Sequence, residues 1–142
     1  MIALGSDHAG LPLKKEIIAL LEEMHLPYHD YGTYTGDSCD YAVFAQRAAK
    51  AVVSGECERG ILCCGTGIGI SIAANKVHGI RCGLCTSVEM ARLTKQHNNA
   101  NILALGGRTT EPKLALEIVD TWLDTSFEGG RHQRRVDMLD EM

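Results

Sequence analysis

Positive charge is in short supply in this chain: 14 lysines and arginines stand against 18 aspartates and glutamates, for a formal net charge of -4. That balance excludes a general electrostatic hold on nucleic acid or anionic lipid, so an anionic ligand must be met by basic residues gathered locally. Long apolar runs are missing as well. None approaches the roughly 18 residues that would suggest a membrane span. The opening Ile2-Ala3-Leu4 has no basic region before it and Asp7-His8 soon after, which is not the layout of an export signal. Six cysteines in such a chain are expected as reduced thiols in the cytoplasm rather than as a disulfide framework. No internal repeat, low-complexity segment or linker interrupts the 142 residues, a length that suits one domain over 1–142.

What is present is a regular alternation of short apolar runs and helical spacings. Residues 2–6 read as a strand, after which Leu13, Ile17, Leu20, Leu21 and Met24 recur at helical spacing. Pro12 suits the first helical turn, where its missing N–H would have no partner. Tyr28 to Tyr31 reads as a second strand, followed by a loop from Gly32 to Cys39. Asp40 is placed to cap a helix striped by Tyr41, Phe44, Ala45, Ala48 and Val52 and stopped at Ser54-Gly55. Gly60 to Cys64 is a third strand without polar alternation, as expected in a sheet covered on both faces, and Gly65-Thr66-Gly67-Ile68-Gly69 opens a short helix through Ala74.

A strand over 80–85, a helix over 87–97 and a strand over 101–105 follow. Thr110 is then expected to cap a helix carrying Leu114, Ile118, Val119 and Trp122, and a last amphipathic helix runs from Arg131 toward Met142. The expected fold is α/β: a three-layer, Rossmann-like arrangement with a five-stranded, mainly parallel sheet and helices on both faces. Such sheets bind ligands where the strands' carboxyl ends meet the loops, here after strands one, three and four.

Cys64 ends the third strand and is followed by glycines whose backbone N–H groups can turn inward at a helix start, a nest suited to an anion or a thiolate. A thiol so placed suits general-base work; the plain alternative is a buried strand cysteine, which is the role read for Cys63 on the opposite face. A phosphatase loop would need arginine where Ile70 stands. A dinucleotide fingerprint would need a third glycine one residue after Gly69, and a nucleoside-triphosphate loop would need Gly-Lys-Ser/Thr. Zinc on Cys63, Cys64, Cys82 and Cys85 is disfavoured, because Cys82 and Cys85 are an odd number of residues apart on one strand and point to opposite faces.

Asp7 and His8 lie in the first strand-to-helix turn, where they could move protons or where Asp7 could simply bond local N–H groups. His97 continues the helical face of Met90 and Leu93, so its imidazole reads either as packed core or as a site group, and Asn98 with Asn99 could terminate that helix. Arg131 and Arg135, one turn apart with Arg134 beside them, could grip a phosphate or pair on the surface with Asp137 and Asp140. Arg108 offers a further anion contact after the fifth strand.

Gly5-Ser6-Asp7-His8-Ala9-Gly10, the run from Cys64 to Lys76, Gln96-His97-Asn98-Asn99-Ala100-Asn101 and the run from Glu128 to Arg135 together resemble the ribose-5-phosphate isomerase B family, in order and over nearly the whole chain. That family also includes allose-6-phosphate isomerases and subunits of galactose-6-phosphate isomerase, so the implied substrate is a small sugar phosphate, ribose 5-phosphate first and a six-carbon relative as the alternative. The resemblance implies that Cys64 removes the C2 proton of the opened aldose and returns it at C1 through a cis-enediolate. Backbone N–H groups of Gly65, Gly67, Ile68 and Gly69 would hold the developing charge. It further implies His97 and Asp7 in ring opening, Thr66 as a relay among hydroxyls, and His8, Arg131 and Arg135 on the phosphate; Asn98 and Arg108 are expected, from their positions in the chain, to join the substrate-binding set.

No metal or organic cofactor is implied, nor any nucleic-acid or membrane partner. Family members are dimers or larger with shared sites, so a homodimer or homotetramer is expected, with the helix at about 131–142 against the partner. This chain follows the cysteine branch of the family; another branch carries glutamate at the position of Ile70. Ala42 departs from the many relatives that have proline after the Asp40-Tyr41 pair. Two other readings stay open: a phosphosugar-binding module without catalysis, and a subunit active only with a different partner chain.

Overall fold

A computed structural model describes residues 1–142. Eleven elements follow in the order β1 (Ile2–Ser6), α1 (Leu11–Glu23), β2 (Tyr28–Asp30), α2 (Tyr41–Val53), β3 (Arg59–Cys64), α3 (Ile68–Asn75), β4 (Cys82–Leu84), α4 (Val88–Asn98), β5 (Ile102–Gly106), α5 (Pro112–Asp124) and α6 (Arg131–Asp140). The strands form one sheet in the order β2-β1-β3-β5-β4, and every pairing is parallel. The expected α/β fold with five strands is therefore present, with no antiparallel member.

Successive strand residues serve opposite layers, because side chains alternate across the pleat. Leu4, Ile61, Cys63, Leu103 and Leu105 pack with Leu13, Ile17 and Leu21 of α1 and with Ile118, Val119 and Trp122 of α5. Ala3, Leu62, Cys64, Ile102 and Ala104 pack on the other face with Ala45, Ala48, Ala49 and Val52 of α2 and Ile70 and Ala74 of α3. Both faces are covered, which is why the strands read as unbroken apolar runs.

Three local expectations need correction. The fourth strand is shorter than 80–85: the Ile80 N–H turns back to the Val77 carbonyl, and the Arg81 N–H is taken by the Asn101 side chain, so pairing begins only at Cys82. Thr110 does not cap α5. Its N–H bonds the Gly106 carbonyl, Glu111 flanks the helix, and Pro112 opens it without a side-chain cap. Asp40 does stand at the start of α2, but its side chain makes no capping bond.

Lys14 is 1% exposed, and its ammonium lies 2.7 Å from Asp30 Oδ1 while also donating to the Thr33 carbonyl. The pair ties α1 to the end of β2 and to the start of the 32–40 loop. Removing one partner of such a buried pair costs about 3–5 kcal/mol, because the other charge is left uncompensated.

Parallel topology also decides where each helix ends. α4 leaves the carboxyl end of β4 and must return to the amino end of β5, and its 11 residues span about 16 Å at a rise of about 1.5 Å per residue. α5 makes the same return. α6 stays at the amino end: Arg81, just before β4, holds Asp140 at 2.6 Å, and His78 Nδ1 lies 2.8 Å from the Met142 carbonyl.

Candidate active site

Cys64 is 4% exposed at the end of β3, and its sulfur accepts the Gly67 N–H at 3.1 Å. The turn behind it is stitched to the end of β5: the Gly107 N–H bonds the Cys64 carbonyl at 2.8 Å and the Arg108 N–H bonds the Gly65 carbonyl at 2.9 Å. Gly67 is required twice over. Its φ is +78°, and a Cβ there would stand 2.6 Å from Leu84 Cδ1 and 2.8 Å from the Leu105 carbonyl carbon. Thr66 Oγ1 accepts the Ile68 N–H at 3.2 Å, and the Tyr41 ring lies where a Cβ on Gly69 would be. Two of the loop's N–H groups, those of Gly67 and Ile68, are thus engaged within the chain, on the sulfur and on the Thr66 hydroxyl.

Cys63, one residue earlier, faces the α1/α5 layer and is 1% exposed, and burial pushes its thiol well above the ordinary range. Burial likewise pushes Cys82 up to about 12 and Cys85 up to about 11. All six cysteines are free, and Cys82 and Cys85 serve opposite layers as their spacing predicts. No three cysteines come together as a metal site.

Asp7 is 6% exposed, and one of its carboxylate oxygens accepts the Gly10 N–H at 2.9 Å, so the turn-bonding role is real for that oxygen. Gly10 has no room for a side chain, since a Cβ would fall onto the Cys63 carbonyl. His8 Nδ1 accepts the Cys39 N–H at 3.2 Å, which in the neutral ring leaves the proton on Nε2, free to donate to an anion. Arg108 is exposed, and its side chain lies beside Gly65, 3.7 Å from where a Cβ would stand. Asp7, His8, Cys64, Gly65, Thr66, Gly67, Ile68, Gly69 and Arg108 therefore belong to the carboxyl end of the sheet.

His97, Asn98, Arg131 and Arg135 do not. They sit on the last turn of α4 and on α6, at the amino end, a helix length away. His97 is not core: its side chain is 39% exposed, and Met90 and Leu93 on the same face are open as well. Its Nε2 lies 3.8 Å from Glu128 Oε1, and its ring stacks on His132 at 4.2 Å between centroids and 14° between planes. Burial, and then the His97 ring, hold the His132 imidazole below the ordinary histidine value. Arg131, Arg134 and Arg135 are exposed and form no ion pair within the chain. The surface pairing considered for them fails because Asp137 is taken by Gln133 at 2.7 Å and Asp140 by Arg81.

His132 and Tyr41 were not singled out in the sequence as site residues. The available signal was their place inside the quoted Glu128–Arg135 run and the Asp40-Tyr41 pair; their ring positions depend on contacts between distant segments. A cavity of about 590 Å³ opens beside the amino end of β4, walled by His78, Arg81, Thr94, Asn98 and Leu139 among others, and Cys64 is not in its wall.

The Ribose/Galactose Isomerase family profile matches residues 2–139. The chain belongs to that family. Ribose-5-phosphate isomerase B of Escherichia coli is 49% identical over 138 residues, covering 97% of this chain and 93% of the relative. The solved structure of the Clostridium thermocellum ribose-5-phosphate isomerase B superposes with a TM-score of 0.97 at 54% identity, covering 99% of this chain and 95% of that one. The Mycoplasma genitalium enzyme of the same type, solved with ribulose 5-phosphate bound, gives a TM-score of 0.95 at 42% identity, covering 99% and 93%. Membership in the ribose/galactose isomerase family thus extends over both ends of the sheet and both groups of residues described above. No helix of the chain is long and apolar enough to cross a membrane.

Proposed function

We propose that this chain interconverts ribose 5-phosphate and ribulose 5-phosphate, and that two copies complete each other's sites. The observation that carries the chemistry is the Cys64 sulfur, held on the Gly67 amide at the carboxyl end of β3. Family membership and the similarity to the ribose-5-phosphate isomerases support the reaction. As a thiolate, Cys64 takes the proton from C2 of the opened sugar and returns it at C1. Loop amides that now hold the sulfur and the Thr66 hydroxyl turn to the enediolate oxygen as negative charge gathers there, an interaction that strengthens toward the transition state. The route consists of proton transfers and charge stabilisation alone, so it calls for no cofactor.

Ring opening and phosphate binding draw on the other group. His97 of a second copy, with Asp7, opens the furanose, Thr66 relays protons, and His8, Arg131 and Arg135 hold the phosphate, with Asn98 and Arg108 at its edge. A two-fold axis perpendicular to the strands lays the amino end of one sheet against the carboxyl end of the other, and each half-site meets its complement. Ile68 and Ile72 on α3 and Met90 and Leu93 on α4, which are 36–56% exposed on either side of edge strand β4, supply apolar surface for that contact. The dimer can assemble further into a tetramer without altering this pairing. The unpaired cysteines fit the reducing cytoplasm, where we place the protein.

Purified protein assayed on ribose 5-phosphate, allose 6-phosphate and galactose 6-phosphate tests the reading through kcat/KM. The pentose phosphate is expected to be preferred. A higher value for a hexose phosphate reassigns the substrate, and binding without turnover reassigns the protein to a non-catalytic module.

A further inference from the structure

We propose that His97, Glu128 and His132 form a binding site for a borderline divalent transition ion of the zinc class, and that filling it withdraws His97 from the isomerase reaction. The second half rests on the ring-opening role given to His97 above; the first half stands on geometry. One ligand atom from each residue lies within 4.8 Å of the others. Donors around a tetrahedral zinc, with bonds of about 2.1 Å, stand roughly 3.4 Å apart, so no pair of donors has more than about 1.4 Å to close.

The backbone already holds the three together. The Glu128 N–H bonds the Gln96 carbonyl at 3.1 Å, next to His97, and the His132 N–H bonds the Gly129 carbonyl at 3.1 Å. Gly129 and Gly130, at φ of +67° and +56°, fold the chain back so that Glu128 and His132 meet the end of α4. The two imidazole rings stack at 4.2 Å between centroids, which keeps their nitrogens side by side next to the Glu128 carboxylate. Two imidazoles and one carboxylate favour zinc, cobalt or nickel over magnesium or calcium, and three protein donors leave a coordination position open. Arg131 and Arg135 oppose a cation nearby, so micromolar affinity is expected rather than that of a closed structural site.

A bound ion occupies the His97 ring nitrogen that would otherwise exchange a proton with the sugar ring oxygen. The site would then act as a reversible brake on the enzyme at the amino end of the sheet, leaving Cys64 untouched.

Titration of the wild-type protein with Co2+ is the test, because thiolate ligands give an intense sulfur-to-cobalt charge-transfer band and imidazole and carboxylate ligands do not. The expected result is saturable d–d absorption without that band, weakened at least tenfold by His132→Gln and by Glu128→Gln in protein whose circular dichroism is unchanged. A thiolate band, or binding indifferent to both substitutions, overturns the site. In parallel, Zn2+ should inhibit isomerisation by the wild type at concentrations at least tenfold lower than for His132→Gln. Cobalt bound as expected with undiminished turnover upholds the ligands and overturns the braking role.

Discussion

Cys64 and His97 lie at opposite ends of the same parallel sheet, because Cys64 closes β3 whereas α4 carries His97 back from the carboxyl to the amino end. A single chain cannot bring both to one sugar. Mixing Cys64→Ala and His97→Gln proteins, each nearly inactive, should therefore restore activity as subunits exchange. Half of a statistical mixture is heterodimer with one intact site, so roughly a quarter of wild-type activity is expected. Failure to complement after exchange has been shown by mass spectrometry would remove the shared site.

Cys64→Ala should lower kcat on ribose 5-phosphate on the order of 10²-fold or more while KM changes little, since the role proposed for the thiol is in proton transfer rather than in binding. Steady-state kinetics decide this. Activity within a few-fold of wild type would assign the base elsewhere.

Arg135→Ala should act mainly on KM. Removing a guanidinium from a phosphate loses a charge-assisted bond worth about 1.5–3 kcal/mol, so KM is expected to rise about tenfold or more with kcat largely kept. An unchanged KM would return Arg135 to the solvated surface.

Gly10→Ala should destabilise the fold by about 1–3 kcal/mol, because the added carbon meets main chain that cannot rotate away. Urea midpoints read the loss directly. Gly55→Gln at an open turn provides a contrast in available space, though its φ of +85° adds a backbone penalty of its own.

Stability should also fall as the solution is acidified from pH 7 to pH 5. His132 is held below its ordinary value of 6.5 in the folded chain. The unfolded chain takes the proton first as pH drops through that value, and protonation then favours unfolding until the folded form titrates too. Urea midpoints at the two pH values should differ less in His132→Gln than in wild type; equal differences would mean that this ring stays outside the linkage.

The fold was legible because the strands are buried on both faces and the helices on one: Gly60 to Cys64 could only be an interior strand, and Leu13, Ile17 and Leu21 only a buried stripe. Boundaries decided by single hydrogen bonds were not. The Asn101 side chain shortens β4 by taking the Arg81 N–H, and no local pattern announces a partner twenty residues away. Spacing likewise placed Cys63 and Cys64 on opposite faces. It could not show that His97 is half open, because that depends on how much of the ring His132 and Glu128, some thirty residues away, cover.

The Cys64 sulfur is held by a main-chain amide, and that decides which substitutions can reach it. Polarity supplied by the backbone survives almost any exchange of neighbouring side chains and is lost only when the path of the chain itself bends. Gly67, whose positive φ and crowded surroundings set that path, is then the position where a side chain would disturb the sulfur's partner most.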